Sequence, residues 1–205
     1  MKLLVATRNE GKARELRELF VGLPFELMFP ADQFLERLPE EADLEHGTSY
    51  AENAVAKARY FAKRHGAATL AEDSGLEVDV LDGAPGVFSA RWAQMHGGAA
   101  SDAANNSFLL ERLAGVPDEQ RQARYRCVVA YLDSPTGKPQ LVEATCEGTI
   151  LTAPRGSGGF GYDPLFWSPE LRLTFAEAAP AAKHRVSHRG RAVRALIEVL
   201  LRRSK

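Results

Sequence analysis

Cysteine is scarce in this 205-residue chain: Cys127 and Cys146 are the only two, and they form neither a zinc-ligand spacing nor a disulfide framework. Both a zinc-built and a disulfide-stapled fold are therefore excluded, and a reducing cytoplasm is the expected compartment. Net charge is also nearly absent, since 26 Lys and Arg against 27 Asp and Glu leave -1. No bulk field draws in nucleic acid or a membrane, so any polyanion must be held by a local arrangement, and we expect neither as a partner. Long apolar runs are missing too. The opening MKLLVAT passes within a few residues into charged sequence, too short for a signal peptide or a spanning helix. The chain contains no internal repeat, linker, low-complexity tract or GxxxxGK[ST] loop.

What is present is an ordinary globular composition, 45% hydrophobic, enough to bury a substantial core as one large domain or two intimate lobes. LLVAT (3–7) reads as a buried strand. It feeds a helix from Asn9 to about Val21, with Ala13, Leu16, Leu19 and Phe20 at helical spacing and Asn9 suited to cap the start. FELMF (25–29) follows as a strand. SYAE (49–52) is a capping-box pattern opening a helix through Arg64, with Ala51, Ala54, Val55, Ala58 and Ala62 inward and Gly66 as its stop. AATLA (67–71) is the next strand. RYRCVVAYLD (124–133) and QLVEATCEGTIL (140–151) flank SPTGKP and read as a hairpin, and this register sets Cys127 and Cys146 nearly opposite each other. The last helix begins near Ser187, with Val193, Leu196, Ile197, Leu200 and Leu201 on one face. The expected architecture is α/β: a long central mixed β-sheet flanked by helices, a single domain over 1–205 built as two lobes with the active-site cleft between them.

Residues 69–75, TLAEDSG, place Glu72 and Asp73 side by side at what reads as the tip of a strand. Adjacent carboxylates repel, so either both are solvated in a turn or a cation balances at least one. Ligands of open α/β sheets gather beyond the carboxyl ends of strands, and the turn from Thr7 to Lys12 is a second such end. There Thr7, Asn9, Gly11 and Lys12 bring a hydroxyl, an amide, flexible backbone and a cation to a helix N-terminus, where free N–H groups favour an anion. A capped helix with an exposed lysine accounts for the same residues. RGSGGFGYDP (155–164) combines glycines that let backbone approach a ligand with Phe160 and Tyr162, rings that can stack on a planar group; it reads equally as a flexible loop. In KHRVSHRGR (183–191), Lys183, His188 and Arg189 surround the start of the last helix. Basic side chains there oppose the helix dipole, so a bound acceptor explains them better than helix stability does.

Together these segments outline a nucleoside triphosphate site. TRNEGK (7–12), EHGTSYAENAVAKA (45–58), AEDSGLEVDVLDGAPGVFSARW (71–92), GFGYDPLF (159–166) and KHRVSHRGRA (183–192) resemble the non-canonical purine nucleoside triphosphate pyrophosphatases, also called inosine triphosphate pyrophosphatases, nearly end to end. The resemblance implies hydrolysis of inosine, deoxyinosine or xanthosine triphosphate to the monophosphate and pyrophosphate, with Mg2+ as cofactor and a homodimer as assembly. It implies that Thr7, Arg8, Asn9, Glu10, Gly11 and Lys12 hold phosphates and that Asp73 is metal ligand and proton acceptor. Ser74 would touch substrate, while Phe160, Gly161, Tyr162, Asp163, Lys183, His188 and Arg189 would line the nucleoside pocket. Glu45 matches a further metal-binding acid, with Glu41 in the same acidic loop as the alternative. Many members carry Asp-Asp where this chain has Glu72-Asp73, so Glu72 is left out of the ligand set. An aspartate of ordinary pKa is a weak base at neutral pH, which leaves both Asp73 and a metal-activated water open as the effective base. Two rivals keep part of this chemistry: a Maf-like pyrophosphatase acting on pyrimidine or modified guanine nucleotides, and a non-catalytic nucleotide sensor.

Overall fold

The computed structural model describes residues 1–203; Ser204 and Lys205, the end of the expected domain span, lie outside the described residues. β1 (Lys2–Val5) is buried at Leu3, Leu4 and Val5 and turns into α1 (Glu10–Leu19). Asn9 caps that helix, its side-chain oxygen accepting the Lys12 N–H at 2.9 Å, a contact of a kind that contributes about 1 kcal/mol. β2 (Glu26–Met28) pairs in parallel with β1, and a 3-10 segment over Pro39–Glu45 leads to α2 (Tyr50–His65).

α2 starts and stops where its sequence signals fall. Ser49 accepts the Glu52 N–H at 3.2 Å, and Gly66 closes the helix in the left-handed region at φ 76°. The second arm of the capping box reaches one residue further back, because Glu52 accepts from the N–H and hydroxyl of Thr48. The inward face differs from the expected alanine stripe: Ala51 and Val55 are half-buried, whereas Asn53, Lys57 and Phe61 are buried beside Ala54, Ala58 and Ala62.

The chief departure is β3 (Thr69–Val78). The sequence reading ends this strand at Ala71 and makes 72–75 a turn; instead Glu72, Asp73, Ser74 and Gly75 are interior residues of a ten-residue strand. Its parallel pairing with β1 runs only to Val5 opposite Leu70, where the Ala6 N–H meets the Leu70 carbonyl at 2.7 Å. β1 then leaves for α1, but β3 keeps β4 (Gln122–Leu132) as its other neighbour. Ladder hydrogen bonds on that side override the low strand preference of Glu, Asp, Ser and Gly. Between β3 and β4 come α3 (Trp92–Met95) and α4 (Asp102–Arg112), the latter capped by Ser101. The expected hairpin strands are β4 and β5 (Gln140–Ile150), followed by the short antiparallel β6 (Phe166–Ser168) and β7 (Leu173–Thr174). The sheet has seven strands in the order β2-β1-β3-β4-β5-β6-β7, mixed parallel and antiparallel as expected for an α/β fold. α5 (Pro180–Val186), which the sequence reading merged into the approach to the last helix, precedes α6 (His188–Arg203).

The chain divides into two compact units, one of residues 1–73, 127–144 and 192–205, the other of 74–126 and 145–191. The first unit has a core built from Leu3, Leu16, Phe29, Leu70, Val129 and Leu196. In the second, Leu76, Trp92, Leu109, Tyr125, Phe166 and Phe175 form the core. Each such side chain contributes roughly 1.5–3 kcal/mol on full burial. Neither cysteine forms a disulfide and both are fully buried, Cys127 in the first core and Cys146 in the second. Burial pushes the Cys146 thiol up to about 12, which keeps it protonated. Among the described residues no helix is long and apolar enough to cross a membrane.

Candidate active site

In the first unit the turn after β1 is organised around the α1 N-terminus. The Thr7 hydroxyl accepts the Asn9 N–H at 3.2 Å, while Asn9 and Glu10 are exposed and Gly11 is half-buried. Lys12 projects toward β3, its ammonium 3.6 Å from a Glu72 carboxylate oxygen. Arg8 is directed elsewhere. Its guanidinium forms a two-point pair with Glu41 at 2.6 and 2.8 Å and also donates to the Leu35 and Glu36 carbonyls. Glu41 accepts Arg64 as well, at 3.0 Å. Burial opposes its charge, but the Arg8 hydrogen bond, the Leu38 N–H and both guanidinium charges outweigh that and hold it below its usual value. Glu41 is thus committed to two arginines, which disfavours it as a metal acid.

Asp73 occupies a denser arrangement. One carboxylate oxygen accepts the Lys57 ammonium at 2.9 Å and the other the Asn53 side-chain amide at 3.0 Å. The same ammonium reaches Glu45 at 2.8 Å, so a single cation bridges the two acids expected to hold metal. Lys57 and Asp73 are only 7% and 5% exposed. Burial works against the Lys57 charge, yet the nearby Asp73 and Glu45 carboxylates outweigh it and raise the lysine pKa. Neighbouring Glu72 points differently: its carboxylate accepts the Cys127 thiol at 3.3 Å beside Lys12. This alternation along a strand separates two carboxylates that adjacency in sequence would set against each other.

Sequence reasoning missed Asn53 and Lys57. The signal was available: two polar residues four apart, on a helix face otherwise made of tyrosine, alanine and phenylalanine. Among the described residues no three His, Cys, Asp or Glu side chains are grouped as a ready cation cage. Mg2+ requires less than that, because it takes one or two carboxylates and completes its shell with water and substrate phosphate oxygens. Glu45 and Asp73 fit that donor set.

In the second unit, Ser74, Phe160, Asp163, Lys183 and Arg189 are brought together. Lys183, on α5, pairs with Asp163 at 2.5 Å, and the second role of Asp163 is to accept the Phe160 N–H at 2.9 Å. Gly159 is required here: at φ 71° a Cβ would stand 2.0 Å from the Asp163 carboxylate. The half-buried Phe160 ring carries the Lys183 ammonium 5.2 Å and the Arg189 guanidinium 5.4 Å from its centroid. Arg189 also donates to the Ser74 hydroxyl at 2.9 Å. His188 stacks on Tyr125, with ring centroids 4.6 Å apart and planes at 10°.

Tyr162 is placed differently from the expectation that it offers a stacking face. Its ring lies in the core and its hydroxyl donates to the Ser89 carbonyl at 2.9 Å. Gly161 is held from α4, its N–H donating to Asp102 at 2.6 Å and its carbonyl accepting from Asn106 at 2.9 Å. No local pattern pointed to Asp102 or Asn106, which lie more than fifty residues away.

Residues 3–199 match the model of the Ham1 family. The chain is 49% identical to a dITP/XTP pyrophosphatase of Thermus thermophilus, over 97% of this chain and 91% of the relative. It is 46% identical to a protein of the same name from Desulforamulus reducens, over 98% and 96% of the two chains. The solved structure of a HAM1 protein from Coxiella burnetii superposes with a TM-score of 0.84 at 36% identity, covering 98% of this chain and 99% of that one. That of a nucleoside-triphosphatase, dITP/XTP pyrophosphatase, from Mycobacterium abscessus gives 0.70 at 44% identity, covering 96% and 98%. A family model spanning nearly the whole chain, relatives of matching length and the resemblance carried by five sequence motifs agree, and the chain is a member of the Ham1 family.

Proposed function

We propose that this protein hydrolyses non-canonical purine nucleoside triphosphates, the inosine, deoxyinosine and xanthosine forms, to the monophosphate and pyrophosphate, clearing them from the nucleotide pool. The observation that carries the reading is the Asp73 carboxylate, buried on a strand interior and oriented by Lys57 and Asn53, with Glu45 on the same ammonium. A buried acid oriented at both oxygens is a suitable site for handling a proton and a divalent ion. The names of the relatives support the substrate class.

In this reading Thr7, Asn9, Gly11, Lys12 and the N–H groups of the α1 N-terminus receive phosphate oxygens, while Arg8 anchors the turn through Glu41. A water oxygen forms a bond to the α-phosphorus and the bond to the bridging oxygen of the leaving pyrophosphate breaks. Asp73 orients that water and accepts its proton. Lys12 and the helix N-terminus offset the charge that grows on the leaving oxygens. Glu45 and Asp73 would hold Mg2+, which when bound supplies further charge neutralisation on the phosphates. Ser74, Phe160, Lys183, His188 and Arg189 serve the nucleoside, Phe160 by its ring face and the cationic side chains as donors. A 6-keto purine presents an acceptor to such donors, whereas adenine presents an amino group. Asp163, Tyr162 and Gly161 shape the loop that carries Phe160. A single domain over 1–205, a homodimeric assembly and a cytoplasmic location belong to the same proposal.

A panel of nucleotides with and without Mg2+, scored for pyrophosphate against orthophosphate, tests it. Inosine, deoxyinosine and xanthosine triphosphates should yield pyrophosphate only with the ion, and adenosine triphosphate should be disfavoured by as much as ~10^4-fold. Turnover confined to pyrimidine or modified guanine nucleotides, or binding with no turnover, would reject the reading.

A further inference from the structure

We infer that Lys57 is a positioning residue that acts as a stand-in cation, holding Glu45 and Asp73 in place until a divalent ion displaces it. The inference rests on the metal-site reading above. Its ground is the single ammonium that bridges Glu45 at 2.8 Å and Asp73 at 2.9 Å, the two carboxylates assigned to the ion. These acids are organised around a nitrogen in the chain itself, and among the described residues no third acid, histidine or cysteine joins them.

An ammonium and a divalent ion compete for this pair. At equal distance the repulsion between +1 and +2 is twice that between two unit charges, and the low exposure of Lys57 and Asp73 leaves little water to screen it. The geometry allows exchange at small cost. Mg2+–oxygen distances are about 2.1 Å, shorter than the observed nitrogen–oxygen contacts, so the carboxylates would need to close in by under ~1 Å. Asn53, one helical turn before Lys57, keeps its own hydrogen bond to the second Asp73 oxygen and steadies the carboxylate during the swap. The Glu45 side chain is 42% exposed and the lysine stem is flexible, so both have room to adjust without moving α2. Without a resident cation, buried Asp73 would face Glu45 as an uncompensated like charge.

The competition makes a prediction opposite in sign to that of an ordinary structural lysine. Titration calorimetry of Mn2+ and Mg2+ into the nucleotide-free protein should show Lys57→Met binding the ion ~10-fold more tightly than the wild type, within the usual span of coupling between two ligands. Asp73→Asn should lose the binding. Equal or weaker affinity in Lys57→Met, with Asp73→Asn still inactive in binding, overturns the stand-in role and leaves the metal site standing. Unchanged affinity in Asp73→Asn overturns the metal site and the stand-in role with it. Should Lys57→Met fail to fold, the wild-type chain answers alone. The side-chain ammonium of Lys57, followed by 1H–15N NMR, should give a protected signal without metal that is lost at saturating Mg2+. A signal that persists unchanged at saturation overturns the inference.

Discussion

In the first unit Glu45, Glu72 and Asp73 are set against Lys12 and Lys57, whereas in the second Lys183 is set against Asp163 and Arg189 lies over the Phe160 ring. The named groups of the first cluster leave negative charge in excess, and those of the second positive charge. A surplus of carboxylate suits a hard cation and, through it, phosphate oxygens. A surplus of donors beside an aromatic ring suits a flat acceptor-bearing group. The clusters also differ in what steadies them. Lys57 is held by two carboxylates on different elements, while Lys183 and Asp163 fasten α5 to the 155–164 loop. In the second cluster, the ion pair that orders the loop therefore belongs to the same group of residues proposed to receive the nucleoside.

The largest effect should come from separating those roles. Replacing Lys183 by Met takes the close ammonium from buried Asp163, and breaking such a pair typically costs about 3–5 kcal/mol. Denaturant unfolding should show a loss of that order, and a variant as stable as the wild type would mean the pair is not what holds the loop. In the first cluster Asp73→Asn preserves shape and removes charge. Turnover should fall by at least ~100-fold while the fold survives, the scale of losing a general base or charge stabiliser. Near-normal turnover of the folded variant at saturating Mg2+ would remove Asp73 from the chemistry.

A subtler distinction concerns selectivity. Arg189→Ala should lower kcat/KM for inosine triphosphate more than for adenosine triphosphate, narrowing their ratio by ~10-fold or more, the scale of one lost hydrogen bond to a charged donor. A proportional loss on both nucleotides would move Arg189 to the phosphates and erase the division of labour between the clusters. The smallest effect belongs to the thiols. With Cys127 and Cys146 buried, not joined by a disulfide and in different cores, activity should be the same with and without reductant. Loss of activity in reductant would show that a disulfide supports the fold.

Much of the fold was legible because its signals are local. Asn9, Ser49 and Gly66 mark helix ends through contacts within a few residues, and the hairpin of β4 and β5 announces itself by two apolar runs around SPTGKP. The cluster around Asp73 was only half legible. Glu45 and Asp73 are identified by family motif, but the side chains that orient them, Asn53 and Lys57, read in sequence as interruptions of an alanine face. The Arg8 side-chain contact was not legible for the same reason: its partner Glu41 lies 33 residues away.

The sequence by itself determined where α1, α2 and α6 begin, that β1 is buried, and that carboxylates, a cationic turn and a Gly-rich aromatic loop occur in one chain. These follow from backbone capping, side-chain periodicity and residue chemistry, all of which act over a few residues. Only the tertiary structure decided that Glu72 and Asp73 lie inside a strand, because the β4 neighbour that sustains it comes about fifty residues later. It also decided that Tyr162 belongs to a core and that Lys57 bridges two acids. Burial and the partnering of charges depend on which distant segments pack together, and no window along the chain contains both partners.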